Sequence, residues 1–253
     1  MKQLLQNISN GDTLIEEVPV PSFGANEILI KTSASLISIG TERMLVEFGK
    51  ANLLSKAAQQ PEKVRQVIDK ISTDGIYPTL KAVNNKLSDL IPLGYCNVGI
   101  VKKIGASVSK FKKGDRVVSN GYHAEYISVG QNLCSKVPNS LSEEEAVFAV
   151  PGSIALNGIR LAKPQIGETF LVYGLGLIGL LAVQILIANG CRVIGIDFDE
   201  KKLDIAKSYG AITLNPKKSS NNILSFVSAV TNSQLADGVL ICTSSNDNEI
   251  ISN

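Results

Sequence analysis

The sequence predicts an α/β protein in two parts, a β-rich, barrel-like domain over residues 1–150 and a doubly wound parallel sheet over residues 151–253. Three observations predict it. Short strand-like segments at regular spacing, separated by glycine turns, fill most of the first part. The apolar run Thr169 to Tyr173 ends in a turn carrying Gly174, Gly176 and Gly179, and an amphipathic segment then leads to a second apolar run closed by Asp197. Helical and strand-like segments alternate from there on, as βαβ units require.

Lys2 to Ile8 and Asp12 to Val18 read as two strands around the turn Ser9-Asn10-Gly11-Asp12, and Pro19 and Pro21 stop the second. Glu27 to Ser38 alternates in period 2 and then becomes apolar, as a strand entering a core does. From Val46 to Leu90 the pattern is helical. Val64, Val67, Ile68 and Ile71 fall at i, i+3, i+4 and i+7 within Pro61 to Ile71, Gly75 follows as a stop, and Leu80, Val83 and Leu87 repeat the stripe. This insert suits packing onto the sheet domain or onto a second subunit. Strands resume at Leu93 to Ile104, Phe111 to Val118 and Tyr122 to Ile127, and the β half ends near Pro138. Ser142 followed by Glu143, Glu144 and Glu145 opens a capped helix, and Gly152 to Ala162 is expected to form another.

The turn after Tyr173 sits between strand and helix, the context that makes a G-x-G-x-x-G pattern specific for a dinucleotide. Gly174 permits the tight turn, Gly176 leaves bare backbone for a pyrophosphate, and Gly179 lets the helix approach the strand. The N–H groups at Leu177 and Ile178 then lie at the positive end of the helix dipole. Asp197 can accept from both adenosine-ribose hydroxyls and repels a 2′-phosphate, and Phe198 follows it where a basic residue would be needed. NAD is therefore favoured over NADP. Lys202 and Thr243 complete the predicted cofactor-binding set, with Ser244 next to Thr243 at the open side. The alternation continues as Asp199 to Tyr209 (helix, Asp199 as N-cap), Ile212 to Leu214 (strand), Ser220 to Thr231 (helix) and Gly238 to Thr243 (strand). That makes four strands of a 3-2-1-4-5-6 sheet, so the domain reads as truncated and its fourth strand as an exposed apolar edge.

Composition narrows the partners. The chain has 253 residues, 44% of them apolar, enough for a proper core. A net charge of +2 from 25 basic and 23 acidic residues creates no field for nucleic acid or anionic lipid. Phe170 to Ala188 is uncharged and long enough to span a bilayer, but the glycines near its start and the lack of flanking anchors argue for a buried strand and helix. Cys96, Cys134, Cys191 and Cys242 show no metal-binding spacing and read as reduced thiols. The N-terminus lacks the continuous apolar stretch of a signal peptide, so a cytoplasmic location is expected.

The segments Ser35 to Lys50 (SLISIGTERMLVEFGK), Pro61 to Lys70 (PEKVRQVIDK), Pro92 to Val101 (PLGYCNVGIV), His123 to Tyr126 (HAEY) and the glycine turn together resemble the medium-chain dehydrogenase/reductase superfamily. That resemblance implies a GroES-like β domain before a Rossmann domain and an alcohol dehydrogenase-like activity. Within the superfamily the chain is most similar to the amino-terminal half of bacterial bi-domain oxidoreductases, in which such a half is fused to a Gfo/Idh/MocA-type dehydrogenase in surface-polysaccharide gene clusters. A homo-oligomer, or a second dehydrogenase domain fused or associated, is the partner this implies, with a sugar or nucleotide sugar as the small-molecule substrate.

Departures from the family pattern bear on mechanism. Where zinc members place a ligating Cys and His, this chain has Ile39-Gly40-Thr41-Glu42 and Gly94-Tyr95-Cys96, and it contains a single His. A catalytic zinc takes three protein ligands, so no metal is expected. Thr41 matches the superfamily's proton-relay hydroxyl, Tyr95 replaces the ligating His, and His123 stands on a strand expected to face the same cleft; these three are the catalytic candidates. Two other readings compete: a quinone- or enone-reductase-like member, and a catalytically incomplete nucleotide-binding fragment that serves as an interaction module.

Overall fold

The structure, a computed structural model, describes residues 1–79, 81, 83, 89–218 and 222–243. The chain divides into two compact units, Met1–Val150 and Pro151–Asn253.

The first unit holds two antiparallel sheets. Strands β1 (Lys2–Asn7) and β2 (Thr13–Glu17) pair as the expected hairpin, and β4 (Leu90–Pro92) joins the other edge of β1. The larger sheet runs β7 (Tyr126–Gly130), β3 (Glu27–Ser35), β5 (Asn97–Ile104), β6 (Arg116–Ser119), β8 (Cys134–Lys136). Two register shifts in the β3–β5 ladder, at Leu29/Ile30 and Thr32/Ala34, bend the pair as bulges do. Ile28, Ile30, Val101, Val117, Ile127 and Val129 form one apolar cluster of this unit, and Cys96, Val98, Val118, Val137, Ala146 and Val147 another.

Two boundaries differ from the sequence reading. The strand expected from Glu27 to Ser38 ends at Ser35, and helix α1 (Ile39–Lys50) begins seven residues before Val46. Its first turn is secured from within: Glu42 Oε1 accepts the Ser38 N–H at 2.7 Å, satisfying an amide that the helix start leaves without a partner. The strand expected from Leu93 to Ile104 begins only at Asn97, as β5, and the short β4 precedes it at Leu90–Pro92. Gly94 has φ +93, a conformation no β-strand contains and one that favours glycine.

Helices α2 (Leu53–Gln59) and α3 (Pro61–Asp74) follow in the insert, and residues 76–79 after them are helical as well. Proline opens α3 and Gly75 closes it at φ +87. Lys56 in α2 is buried, and its ammonium donates to the carbonyls of Ile8 and Ser9 at 2.7 and 3.1 Å, which ties the insert to the hairpin. The stripe on α3 is only half-buried at Val64, Val67 and Ile71, and Ile68 is exposed. Leu80 and Leu87 lie outside the described residues. Ser142 and Glu145 form a reciprocal capping box at α4 (Glu143–Ala146).

The second unit is one parallel sheet, β11 (Ile212–Leu214), β10 (Arg192–Ile196), β9 (Thr169–Tyr173), β12 (Gly238–Ile241), which is the order 3-2-1-4. Alternation along β9 sends Phe170 and Val172 to one face and Leu171 to the other. The first face packs on α5 (Ala149–Ala162), α6 (Leu177–Ala188) and α7 (Glu200–Ser208) through Ile159, Ala182, Val183, Leu186 and Leu203, and the second on Val227 of α8 (Ile223–Val230). Covering both faces explains why these strands read as continuous apolar runs. The uncharged stretch from Phe170 to Ala188 resolves into β9, a turn and a helix of 12 residues. Among the described residues, no helix is long and apolar enough to cross a membrane.

Candidate functional site

The glycine turn joins β9 to α6. Gly174 has φ +92, and a Cβ there would stand 2.8 Å from the Thr243 Cβ, so the turn and the end of β12 are in close contact. A Cβ on Gly179 would stand 1.9 Å from the Gly174 carbonyl oxygen, the close helix–turn approach expected of that position. Gly176 is different: nothing lies within 4 Å of where its Cβ would be, and it is the N-cap of α6 without a side-chain cap among the described residues. Open space therefore faces bare backbone at the positive end of a helix, and the first amides of that helix, from Leu177 and Ile178 onward, have no intrahelical acceptors.

Asp197 follows β10 directly, and its side chain is 12% exposed. Its Oδ2 accepts the Leu175 N–H at 2.7 Å and its Oδ1 the Asp199 N–H at 2.9 Å, so the carboxylate braces the glycine turn. Lys202 Nζ lies 3.6 Å from Oδ1. An ionised carboxylate offers about four acceptor positions, so the two backbone bonds leave capacity for further donors. The bracing role is one the sequence reading missed, because the Leu175–Asp197 contact exists only once β9 and β10 are paired. Phe198 is exposed, and Asp199 caps α7 by accepting the Lys201 N–H at 3.0 Å. Thr243 is exposed beside the turn, and Ser244 lies outside the described residues.

In the first unit the three catalytic candidates do not form one hydrogen-bonded group. Thr41 is exposed in the first turn of α1. Tyr95 packs half-buried against the cluster of Cys96, Val98 and Val118. His123 stands on the connection before β7, outside any named strand, which corrects its expected strand position; only its neighbour Ala124 makes an isolated bridge, to Gln3. The His123 ring is buried. Its Nε2 meets Glu42 Oε2 at 3.1 Å and its Nδ1 meets Ser35 Oγ at 2.8 Å. With a carboxylate accepting at Nε2, that nitrogen is the donor of the pair, and Nδ1 faces the Ser35 hydroxyl, which can donate to a ring nitrogen or accept from it. Gly94 has no side chain because the ring occupies that space: a Cβ there would lie 2.7 Å from it. Ser35 and His123 both line an open cavity of about 340 Å³ together with Gln3, Thr32 and Glu125. The arrangement can hold a proton and pass it to an exposed hydroxyl. Glu42 and Ser35 carried no sequence signal for this, since they meet His123 across 81 and 88 residues.

Cys96 is fully buried, and burial, with the Glu42 charge beside it, pushes its thiol up to about 12. Among the described residues, no group of three or more His, Cys, Asp or Glu side chains could hold a metal ion.

Comparisons with known proteins agree with this geometry at the level of fold. Residues 178–249 match the family described as zinc-binding dehydrogenase. The (R,R)-butanediol dehydrogenase of Bacillus subtilis is 28% identical over 156 residues, which is 51% of this chain and 45% of that protein. The alcohol dehydrogenase TADH from Thermus sp. ATN1 superposes with a TM-score of 0.76 at 21% identity, covering 100% of this chain and 72% of that one. The quinone oxidoreductase of Escherichia coli, solved in complex with NADPH, superposes with a TM-score of 0.68 at 19% identity over 92% of this chain and 64% of that one. The chain spans about half the length of the curated relatives it matches. Fold and turn together define a β-rich unit followed by a parallel sheet of order 3-2-1-4 with a glycine turn after its first strand. The family match and the relatives support placing it in the medium-chain dehydrogenase/reductase superfamily, among alcohol dehydrogenase-like proteins.

Proposed function

We propose that this chain carries the cofactor site of an NAD(H)-linked oxidoreductase that moves a hydride to or from an alcohol or carbonyl carbon. The observation that carries the reading is the open space over Gly176 with Asp197 braced at the tip of β10. Gly174, Gly176 and Gly179 shape the turn, and the amides at Leu177 and Ile178 face the pyrophosphate. Asp197 and Lys202 hold the adenosine ribose, with Phe198 beside it and Thr243 on the other side of the turn. A bound nicotinamide supplies or takes up the hydride. The proton is the business of this chain's own residues, and we assign it to His123, oriented by Glu42 and relayed through Ser35, with Thr41 and Tyr95 as the other candidates. The enzyme works without zinc, because the matching positions, Ile39 and Tyr95, offer no ligands.

A sugar or nucleotide sugar of surface-polysaccharide synthesis is the proposed substrate class, in the cytoplasm, with a second copy or a second dehydrogenase domain as partner. This part rests on the resemblance to bi-domain oxidoreductases. The division of the polypeptide into a β domain over residues 1–150 and a cofactor domain over 151–253 belongs to the same proposal. The quinone oxidoreductase fold match favours one alternative, a quinone- or enone-reductase-like member. One experiment separates them: incubate chelator-treated protein with NAD and alcohols, polyols or nucleotide sugars, and with NADPH and quinones, and follow absorbance of the reduced nicotinamide. Turnover of a sugar-type alcohol with NAD supports the proposal. Turnover confined to quinones with NADPH refutes it.

A further inference from the structure

The β3–β5 ladder skips one residue. Thr32 pairs with Gly99, Ala34 with Val98 and Ser35 with Asn97, which leaves Ser33 unpaired. A residue inserted in this way shifts the alternation of faces by one. Thr32, Ser35 and the facing Asn97 therefore stand on the same side of the sheet, whereas regular alternation would have put Ser35 with Ser33. Asn97 Nδ2 donates to Thr32 Oγ1 at 2.7 Å, as same-side neighbours can, so the Thr32 hydroxyl keeps its own proton for another acceptor, and it has none among the described residues. Thr32 and Ser35 line the cavity of about 340 Å³ that His123 also lines, with Leu4, Ile15 and Ala124 as an apolar wall.

Ser35 is exposed, while the side chains of His123 and Glu42 behind it are each only 8% exposed. The three form one line of hydrogen bonds, 2.8 Å from Ser35 Oγ to Nδ1 and 3.1 Å from Nε2 to Glu42 Oε2. The second carboxylate oxygen is held by the Ser38 N–H at 2.7 Å, so the acid that orients the ring is itself fixed. When the ring is neutral and Nε2 donates to Glu42, the lone pair is on Nδ1 and faces the Ser35 hydroxyl. A hydroxyl, a base and an orienting acid within hydrogen-bond reach are the constellation that activates a serine, and it is recognised by roles and not by sequence position.

We infer that Ser35 is a nucleophile, and that this unit hydrolyses short-chain carboxylic esters, an activity beyond hydride transfer that needs no dinucleotide. Ser35 Oγ bonds to the ester carbonyl carbon as its proton passes to His123 Nδ1, and the carbonyl electron pair moves onto the oxygen, to which the Thr32 hydroxyl donates. As that pair returns, the bond to the alcohol oxygen breaks and Nδ1 gives its proton to the leaving alcohol. Water then adds to the acyl-Ser35 carbon, its proton passing to Nδ1; the bond to Oγ breaks, Ser35 takes the proton back and a carboxylic acid leaves. Glu42 is a positioning residue. The size of the cavity and its apolar wall suit an acyl chain of a few carbons.

The test uses two probes and no nucleotide. Diisopropyl fluorophosphate, which phosphorylates activated serines with loss of fluoride, is incubated with the full chain, and peptide mass mapping locates the label. It is expected on Ser35 and not on Ser33, the exposed serine skipped by the ladder. Hydrolysis of p-nitrophenyl acetate is followed by the absorbance of nitrophenolate in wild type, Ser35→Ala, Ser33→Ala, Thr32→Val and Thr32→Ser. Ser35→Ala should lose about a hundredfold or more of kcat/KM, and Ser33→Ala none. Thr32→Val should lower kcat about a hundredfold with KM little changed, and Thr32→Ser, which keeps a hydroxyl, should retain most of the rate. Ser35 is exposed, so Ser35→Ala is expected to fold, and the label on wild type reads out independently of any variant. No label at Ser35, or hydrolysis by wild type no faster than by Ser35→Ala, overturns the inference, and a wild-type rate in Thr32→Val overturns the part given to Thr32. Dinucleotide binding without a label at Ser35 defeats this inference alone; label and hydrolysis without dinucleotide binding leave it standing and defeat the proposed function.

Discussion

Gly179→Ala and Gly176→Ala should fail in opposite ways, although both replace a glycine of the same turn. A methyl at Gly179 would stand 1.9 Å from the Gly174 carbonyl oxygen, and ordinary contact begins near 3.4 Å, so α6 or the turn must move by roughly 1.5 Å (3.4 less 1.9). Forcing such a contact costs about 1–3 kcal/mol, or about 2–12 °C in thermal midpoint for a chain of this size. At Gly176 the methyl meets nothing within 4 Å, and φ −71 suits any residue. Its effect on stability should stay under about 1 kcal/mol. The pyrophosphate, however, would lie where that methyl goes, so NADH affinity should fall about tenfold or more. The chain has no Trp, which leaves the fluorescence of NADH itself as the clean signal for the titration. Thermal melts and NADH titrations of both variants form the assay. A Gly176→Ala protein that binds NADH like wild type, or a Gly179→Ala protein with an unchanged midpoint, would refute the reasoning.

Other consequences follow from the same geometry. Glu42→Ala strands the Ser38 N–H and His123 Nε2 inside the protein and should cost about 2–5 kcal/mol in urea unfolding, against less than about 0.5 kcal/mol for exposed Thr41→Ala. Equal losses would show that the Glu42–His123 pair is not structural. Ser142→Ala removes half of the capping box and should lower stability by about 1 kcal/mol, measured the same way. Burial raises the Cys96 and Cys134 thiols from 9.0 to about 12 and about 11. The folded state therefore keeps protons that the unfolded chain releases above pH 9, and stability, fully present below that pH, should decline as pH rises through the folded values. Urea midpoints at a series of alkaline pH values check this, and Cys134→Ala should flatten the decline.

The dinucleotide half was legible because its information is local. Glycine spacing, two apolar runs and a closing acid all lie within thirty consecutive residues, and the apolar runs are continuous because helices cover both faces of the sheet. The 3-2-1-4 order follows from the right-handed crossovers of that pattern. The β half was legible as strands but not as a site. Helix α1 was placed too late because Gly40 and the apolar Ile37 and Ile39 look like a strand end, and what fastens its first turn is a Glu42 carboxylate shared with His123. The break at Gly94 likewise depends on a histidine ring packed against it from another connection. Thr41 and Tyr95 were singled out by family matching, whereas the side chains that share hydrogen bonds with His123 are Ser35 and Glu42. Long-range contacts of this kind leave no periodicity to read.

The measurement that tests the central claim most directly is a pair of calorimetric titrations of the unmodified protein, one with NAD and one with NADP. The carboxylate of Asp197 accepts the Leu175 and Asp199 amides; in the proposed function it would face the adenosine ribose and repel a 2′-phosphate brought against it. The account predicts that NAD binds and that NADP binds at least about tenfold more weakly. NADP binding as tightly as NAD, or neither dinucleotide binding at all, would contradict it.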